Sequence, residues 1–252
     1  MKLFQYWDTG DPPEEVAGWI EGVRATNPDM KHRLYDRDDA SWFIGKRVGE
    51  RERRAFDACA VPSMQSDVFR LCAVKQFGGV YLDADLRSLQ PLAGLLSRAP
   101  HGLIASWNGE LVHNFMLIRP AQDAFIDACL RICVLNIEAQ DIPNAYTATG
   151  PGVLTALQAV LRPEMTDRLL AKFDNMMQRD WLFPTVLARA RREVALSNSL
   201  RASFEALTLV SKRELQPWIG KTDPSYKHTE RHWLHWPGSI YASSTHVGKG
   251  AG

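Results

Sequence analysis

Paired glycines at 78 and 79 divide "PSMQSDVFRLCAVKQFGGVYLDADL" into two unlike halves, and this division constrains the fold more than any other feature of the chain. The first half has a proline at its start, apolar residues at helical spacing and glycines at its stop, the marks of a buried helix. The second half, "VYLDADL", reads as the strand that follows. Asp83 and Asp85 are two residues apart, so in an extended chain they point to the same side, at the carboxyl end of that strand. In open α/β sheets this is the end at which ligands bind.

The preceding residues carry the same alternation. "KLFQYW" reads as a short strand, and "DPPEEVAGWIEGVRATNPD" as a helix with prolines at its start and acidic residues in its first turn. "HRLYD" is a second strand, and "DDASWFIGKRVGERERRAFDAC" reads as one helical stretch with a charged exposed face. Such an order predicts an α/β fold, a mixed and mostly parallel central sheet with helices on its faces. Further along, "GLIASWN" and "LVHNFMLIRP" are expected strands, "AQDAFIDACLRICVLNIEA" a long helix and "TGPGVLTALQAVLRP" a turn opening another helix. Residues 165–201 read as mainly helical, and "FEALTLVS" as a late strand. No internal repeat or long linker demands a boundary, so residues 1–252 are read as a single domain.

Composition removes several classes of partner. Thirty basic residues against 29 acidic ones leave a formal net charge of +1, which gives no footprint for nucleic acid. The opening "MKLFQYWDTG" is too short an apolar run for a signal peptide, and no stretch approaches 18 uninterrupted apolar residues. A soluble, cytoplasmic protein without an integral membrane segment is expected. Cys59, Cys72, Cys129 and Cys133 form no CxxC pair, and for Cys129 and Cys133, one helical turn apart, free buried thiols are expected in preference to a metal site or disulfide.

The aspartate pair carries the chemistry. A hard divalent cation such as Mn²⁺ or Mg²⁺ takes one or two carboxylates while phosphate oxygens and water complete its shell. The bland alternative is that Asp83 and Asp85 cap the strand end or pair with Arg87. Asp67 and Arg70, three apart on the preceding helix, can form a local ion pair. Asn114 offers a donor and an acceptor to a hydroxyl, and Trp7, at the first strand's end, can stack on a planar base or pack in the core. In "HTERHWLHW", His228, His232 and His235 stand at i, i+4 and i+7, but Glu230 is misplaced for an HExxH zinc motif. The alternative there is a tail anchored by Trp233 and Trp236 whose histidines face water.

The block "SDVFRLCAVKQFGGVYLDADL" resembles the DxD sugar-binding region of the glycosyltransferases related to the yeast initiating α-1,6-mannosyltransferases, glycosyltransferase family 32, and more distantly the clostridial glucosylating toxins. In that block a helix carrying S-D-x-x-R precedes G-G-x-Y-x-D-x-D, and Ser66, Asp67, Arg70, Gly78, Gly79, Tyr81, Asp83 and Asp85 follow it in order and spacing. "KLFQYWDTGDPP", "NPDMKHRLYDRDD", "HNFMLIRP" and "TATGPGVLT" are similar to further family segments, and "HWPGSIY" to the closing H-W-x-G-S-W, with Ile240 in place of the last tryptophan. Haloacid-dehalogenase-type phosphohydrolases also use DxD, but Arg87 stands where they have Thr or Val.

The resemblance implies a GT-A-like fold, with a nucleotide-binding part over about residues 1–90 and an acceptor-binding part with its closing tail over about 91–252. It implies an enzyme, a hexosyltransferase that moves a hexose from UDP-hexose or GDP-mannose to a hydroxyl of a glycan or protein acceptor, with Mn²⁺ or Mg²⁺ and retention of anomeric configuration. On this reading Asp67, Arg70 and Asn114 contact the donor sugar, and base choice depends on the surroundings of Trp7 and Tyr35. Asp85 is a metal ligand, Asp83 binds metal, ribose or sugar, His235 contacts metal or diphosphate, and Ser239 adds a hydroxyl to the phosphate or metal shell. No nucleophile is named. Polysaccharide biosynthesis in the cytoplasm and protein modification by an effector both fit. The rival reading is a nucleotide-sugar or carbohydrate-binding module that does not turn over, which Ile240 keeps open.

Overall fold

A computed structural model of the chain describes residues 1–107, 109–165, 183–222, 224–229, 232 and 235–242. Strand β1 (Lys2–Tyr6) pairs parallel with β2 (Lys31–Tyr35) on one side and with β3 (Gly79–Leu82) on the other. Strand β6 (Glu110–Ile118) lies antiparallel between β3 and β5 (Gly102–Trp107), and β7 (Thr208–Ser211) runs parallel to β5 at the far edge. The order is β2-β1-β3-β6-β5-β7, with β6 opposed to the other five, so the sheet is mixed and mostly parallel as expected. A second sheet pairs β4 (Leu86–Ser88) with β8 (Ile219–Lys221), and nothing local in the sequence announced either strand.

Both faces of the sheet are covered, which is why "GVYL" of β3 is apolar throughout. Tyr81 joins Phe4 and Tyr6 in a core built with α4 (Pro62–Phe77), α6 (Ala124–Ala139) and α8 (Pro151–Leu161). Val80 and Leu82, of opposite parity, pack with Leu3 on the other face, where α1 (Glu14–Thr26) contributes Val23. The stretch expected as one helix over 38–59 is two: α2 (Arg37–Arg47) and α3 (Glu50–Asp57), broken at Val48–Gly49. Val48 caps the first, Gly49 precedes the second in extended backbone, and Glu50 and Glu52 suit the second's first turn.

Short helices follow at α5 (Ala93–Leu96) and α7 (Ala145–Ala148). Helices α9 (Phe183–Leu196) and α10 (Asn198–Ala206) occupy the described part of the region read as helical, and residues 166–182 lie outside the described residues. All four cysteines are buried and free. Among the described residues no helix is long and apolar enough to cross a membrane.

Two local devices aim the DxD pair. Gly78 and Gly79 have φ of 62° and 104°, and a Cβ on them would come within 2.6 Å of Arg119 O and 2.8 Å of Lys2 O. Only glycine lets α4 turn this tightly into β3 beside β1. Opposite, the β5–β6 register jumps from Ile104↔Met116 to Ala105↔Val112, leaving His113, Asn114 and Phe115 without β5 partners. This bulge bends β6 at the level where β3 ends, and Asp83 N donates to Asn114 O at 2.8 Å.

Candidate functional site

The carboxyl ends of β1 and β3, the bulge of β6 and the segment from Lys212 to His232 enclose a cleft of about 830 Å³. Trp7, Ser66, Arg70, Asp83, Asp85 and Asn114 line it from the first half of the chain, and Lys212, Lys221, Tyr226 and Lys227 from the second.

Arg70 organises the first group. From helix α4 its guanidinium donates to Ser66 O at 3.2 Å and Ser66 Oγ at 2.9 Å, and Nη2 lies 2.9 Å from Asp83 Oδ1 and 3.2 Å from Asp67 Oδ1. Its plane sits 4.6 Å from the centre of the Tyr81 ring, whose hydroxyl donates to Asp83 Oδ1 at 2.9 Å. Nη1 donates to His113 Nδ1 at 3.3 Å. Burial and the neighbouring Arg70 hold His113 well below its ordinary pKa, so the ring is neutral and its Nε2–H donates to Thr149 O at 3.3 Å. The local Asp67–Arg70 ion pair exists, but it is one arm of a buried network that joins the helix to the strand end.

Asp67 stands behind Arg70 and is not among the residues lining the cleft. Thr149 Oγ1 donates to its Oδ2 at 2.9 Å. Burial pushes its carboxyl up to about 6, against the pull of Arg70 and Thr149, because one guanidinium is shared among several partners. Asp83 is pushed up to about 7, chiefly by burial, with the charge of Asp85 adding to it and Arg70 opposing. Neither aspartate of the DxD pair contacts Arg87 among the described ion pairs. Asp85 Oδ2 instead meets the ammonium of Lys227 and accepts from Tyr226 Oη at 3.3 Å.

The donor set suits a divalent cation only as a shared site. Among the described residues no group of three or more His, Cys, Asp or Glu side chains gathers into a cage. Two carboxylates facing a cleft, with phosphate oxygens and water to complete the shell, are what Mn²⁺ and Mg²⁺ accept. The Lys227 ammonium on Asp85 marks a point where this chain already holds positive charge.

Other expected site residues are distributed unevenly. Trp7 is buried on the cleft wall, meets Tyr226 edge-on at 5.1 Å, and its indole N–H has no hydrogen-bond partner among the described residues. The main-chain oxygen of Tyr35 accepts from Trp7 N at 3.0 Å, while the Tyr35 ring packs 4.8 Å from that of Phe69, away from the cleft lining. Asn114 lines the cleft. His235 and Ser239 are exposed and outside the lining, where His232 is found instead. Ile240 is buried, packed in the main core. Trp236 donates to Ser239 O at 3.1 Å, and Trp233 lies outside the described residues.

Sequence reasoning missed the lysine wall. Lys212 opens α11 (Lys212–Leu215), with Nζ 4.6 Å above the Trp107 ring, and burial followed by Lys221 lowers its pKa. Local signals for this wall were the Ser211–Glu214 capping box that opens the helix of Lys212 and the Pro224 that precedes the 3-10 turn Ser225–His228.

Residues 13–108 match the family described as glycosyltransferase sugar-binding region containing DXD motif, a span that holds Asp67, Arg70, Asp83 and Asp85. Among solved structures the chain is similar to the PaToxG glycosyltransferase, with a TM-score of 0.52 and 14% identity over 87% of this chain and 88% of that one. It is also similar to the UDP-bound glycosyltransferase domain from the YGT toxin, with a TM-score of 0.44 and 11% identity over 84% and 81% of the two chains. No curated protein matches. The first of these likenesses is one of fold, and the fold is GT-A-like.

Proposed function

We propose that this chain is a metal-dependent glycosyltransferase that moves a hexose from a nucleotide sugar, UDP-hexose or GDP-mannose, to an acceptor hydroxyl with retention of configuration. The observation that carries the reading is the convergence of Asp83, Asp85, Arg70 and Asn114 on one cleft at the carboxyl end of β3. The finer kinship, with the group related to the yeast initiating mannosyltransferases, rests on the ordered S-D-x-x-R and G-G-x-Y-x-D-x-D block.

Asp85 and Asp83 would hold Mn²⁺ or Mg²⁺, which when bound supplies positive charge to the departing nucleoside diphosphate. Arg70 fixes Asp83 through Oδ1 and keeps a cation at the rear of the site. Lys212 and Lys221, also on the lining, contribute charge for which phosphate oxygens are suitable partners. Asn114 presents donor and acceptor atoms to a sugar hydroxyl. Asp67 acts through Arg70, and His235 and Ser239 belong to the closing segment behind the cleft.

Retention by internal return needs no protein nucleophile, whereas double displacement needs a carboxylate at the anomeric carbon. Asp8, Asp83 and Asp85 are the carboxylates on the described lining. The reading carries with it a single-domain organisation, a cytoplasmic place of action, and a glycan or protein acceptor.

Calorimetric titration of UDP, GDP and their sugar conjugates, with Mn²⁺ and with chelator, tests this on wild type and Asp85→Asn. Manganese-dependent binding of one base family, lost in the variant, is expected. No binding of any nucleotide under any condition overturns the reading. Slow donor hydrolysis without acceptor separates the enzyme from a module that binds and does not turn over.

A further inference from the structure

Lys227 lays its ammonium on Asp85 Oδ2, the oxygen that also accepts from Tyr226 Oη, and all three residues line the cleft. The turn that carries it is pinned from three sides. Ser225 N and Oγ donate to Glu15 Oε1 at 2.9 and 2.7 Å, the Tyr226 ring meets Trp7 edge-on, and Thr222 Oγ1 donates to Asp85 O. The side chains of Lys227 and Asp85 are 23% and 13% exposed, so water screens their attraction only in part.

An ammonium resting on Asp85 Oδ2 opposes a divalent cation at the same oxygen, because like charges a few ångströms apart in a half-buried site repel strongly. A cation that binds through this oxygen therefore competes with Lys227. The lysine stem is flexible and can swing while the main chain of its turn stays fixed. Released from Asp85, the ammonium remains in a cleft whose proposed occupant carries phosphate oxygens, its natural partners.

We propose that Lys227 is the internal counter-ion of Asp85, that a divalent cation displaces it, and that the displaced ammonium passes to the phosphates of a nucleoside diphosphate. The inference rests on the cation-and-nucleotide reading of this cleft and adds the reason the two bind cooperatively. The cation alone binds weakly because it must evict a resident charge, and the nucleotide gives that charge a new partner.

Binding of Mn²⁺ alone, read from the free-ion electron paramagnetic resonance signal, tests this on wild type, Lys227→Met and Lys227→Arg, followed by UDP and GDP titration at saturating Mn²⁺. Lys227→Met keeps most of the stem, loses the charge, and is expected to bind Mn²⁺ about fivefold or more tighter and the nucleotide about fivefold or more weaker than wild type. Lys227→Arg retains the charge and is expected to stay within about twofold of wild-type Mn²⁺ affinity. Unchanged Mn²⁺ affinity in Lys227→Met, with wild type binding both ligands, overturns the counter-ion role alone. Tighter Mn²⁺ with undiminished nucleotide affinity overturns the transfer to phosphate. If neither protein binds Mn²⁺ or nucleotide, the reading of the cleft fails and takes this proposal with it.

Discussion

Arg70 is 4% exposed and touches Ser66, Asp67, Asp83, Tyr81 and His113, so its removal leaves the buried Asp67 and the half-buried Asp83 without their cation. Breaking a buried pair on one side costs about 3–5 kcal/mol, and Arg70→Met is expected to lose about that much in urea unfolding. Arg70→Lys should recover little, because a single ammonium cannot span acceptors that the guanidinium fork reaches together. Asp67 gives a pH signature. Its carboxyl is raised to about 6 in the fold from about 4 in the open chain, so the folded form binds the proton more tightly. Its contribution to stability is therefore full below about pH 4 and is lost as pH rises through about 6. Wild type should lose stability relative to Asp67→Asn by on the order of 3 kcal/mol between pH 4 and pH 7. Parallel urea midpoints across that range would rule out a raised Asp67.

The junction of α4 with β3 is the element on which the aim of the DxD pair depends. Gly79→Ala would put a methyl group 2.8 Å from Lys2 O at a φ of 104°, against the neighbouring strand's main chain. A loss of about 2 kcal/mol or more is expected from backbone strain and displaced pairing with β1, measured by denaturant unfolding. Gly18, exposed in α1 with no atom within 4 Å of the place a methyl group would take, is the contrasting case. Gly18→Ala should gain about 0.5–1 kcal/mol from helix propensity, so the two substitutions move stability in opposite directions. The bulge in β6 is the second aiming device, and its strand was legible as "LVHNFMLI" while its extra residues were not. Strand periodicity says which residues alternate, but a register jump depends on the partner strand.

Across the whole molecule, the cleft is closed by parts of the chain far apart in sequence. Thr222 Oγ1 donates to Asp85 O over a separation of 137 residues, and β4–β8 pairing brings the lysine wall to the DxD pair. The closing segment docks on the connection between α3 and α4 and on the loop after α6: Ala60 N donates to Ile240 O at 2.9 Å, Ala242 N to Ala58 O at 2.8 Å, and Tyr241 Oη to Ile142 O at 2.7 Å. Tyr241→Phe leaves that buried carbonyl unpaired and should cost about 1–2 kcal/mol in thermal or urea unfolding. Ile240, where the resembled families carry tryptophan, fills a place in this packing. Its replacement is accommodated as core, and the cleft's described lining does not include it.

The sequence by itself determined the strand–helix alternation, the mostly parallel sheet, and the placing of the DxD pair next to a strand's carboxyl end, although the strand stops at Leu82 and Asp83–Asp85 form a turn into β4 instead of extending it. These follow from local signals: apolar periodicity, a proline at a helix start, glycines at its stop. It also marked Arg70, through spacing on one helix, though as a local pair. Only the tertiary structure decided that Arg70 ties Asp67 to Asp83, that Lys227 rests on Asp85, and that His232, not His235, lines the cleft. Those are contacts between segments whose separation in sequence carries no period and no spacing rule. Their partners are chosen by how the packed sheet, its bulge and the closing segment bring charges together where burial makes pairing obligatory.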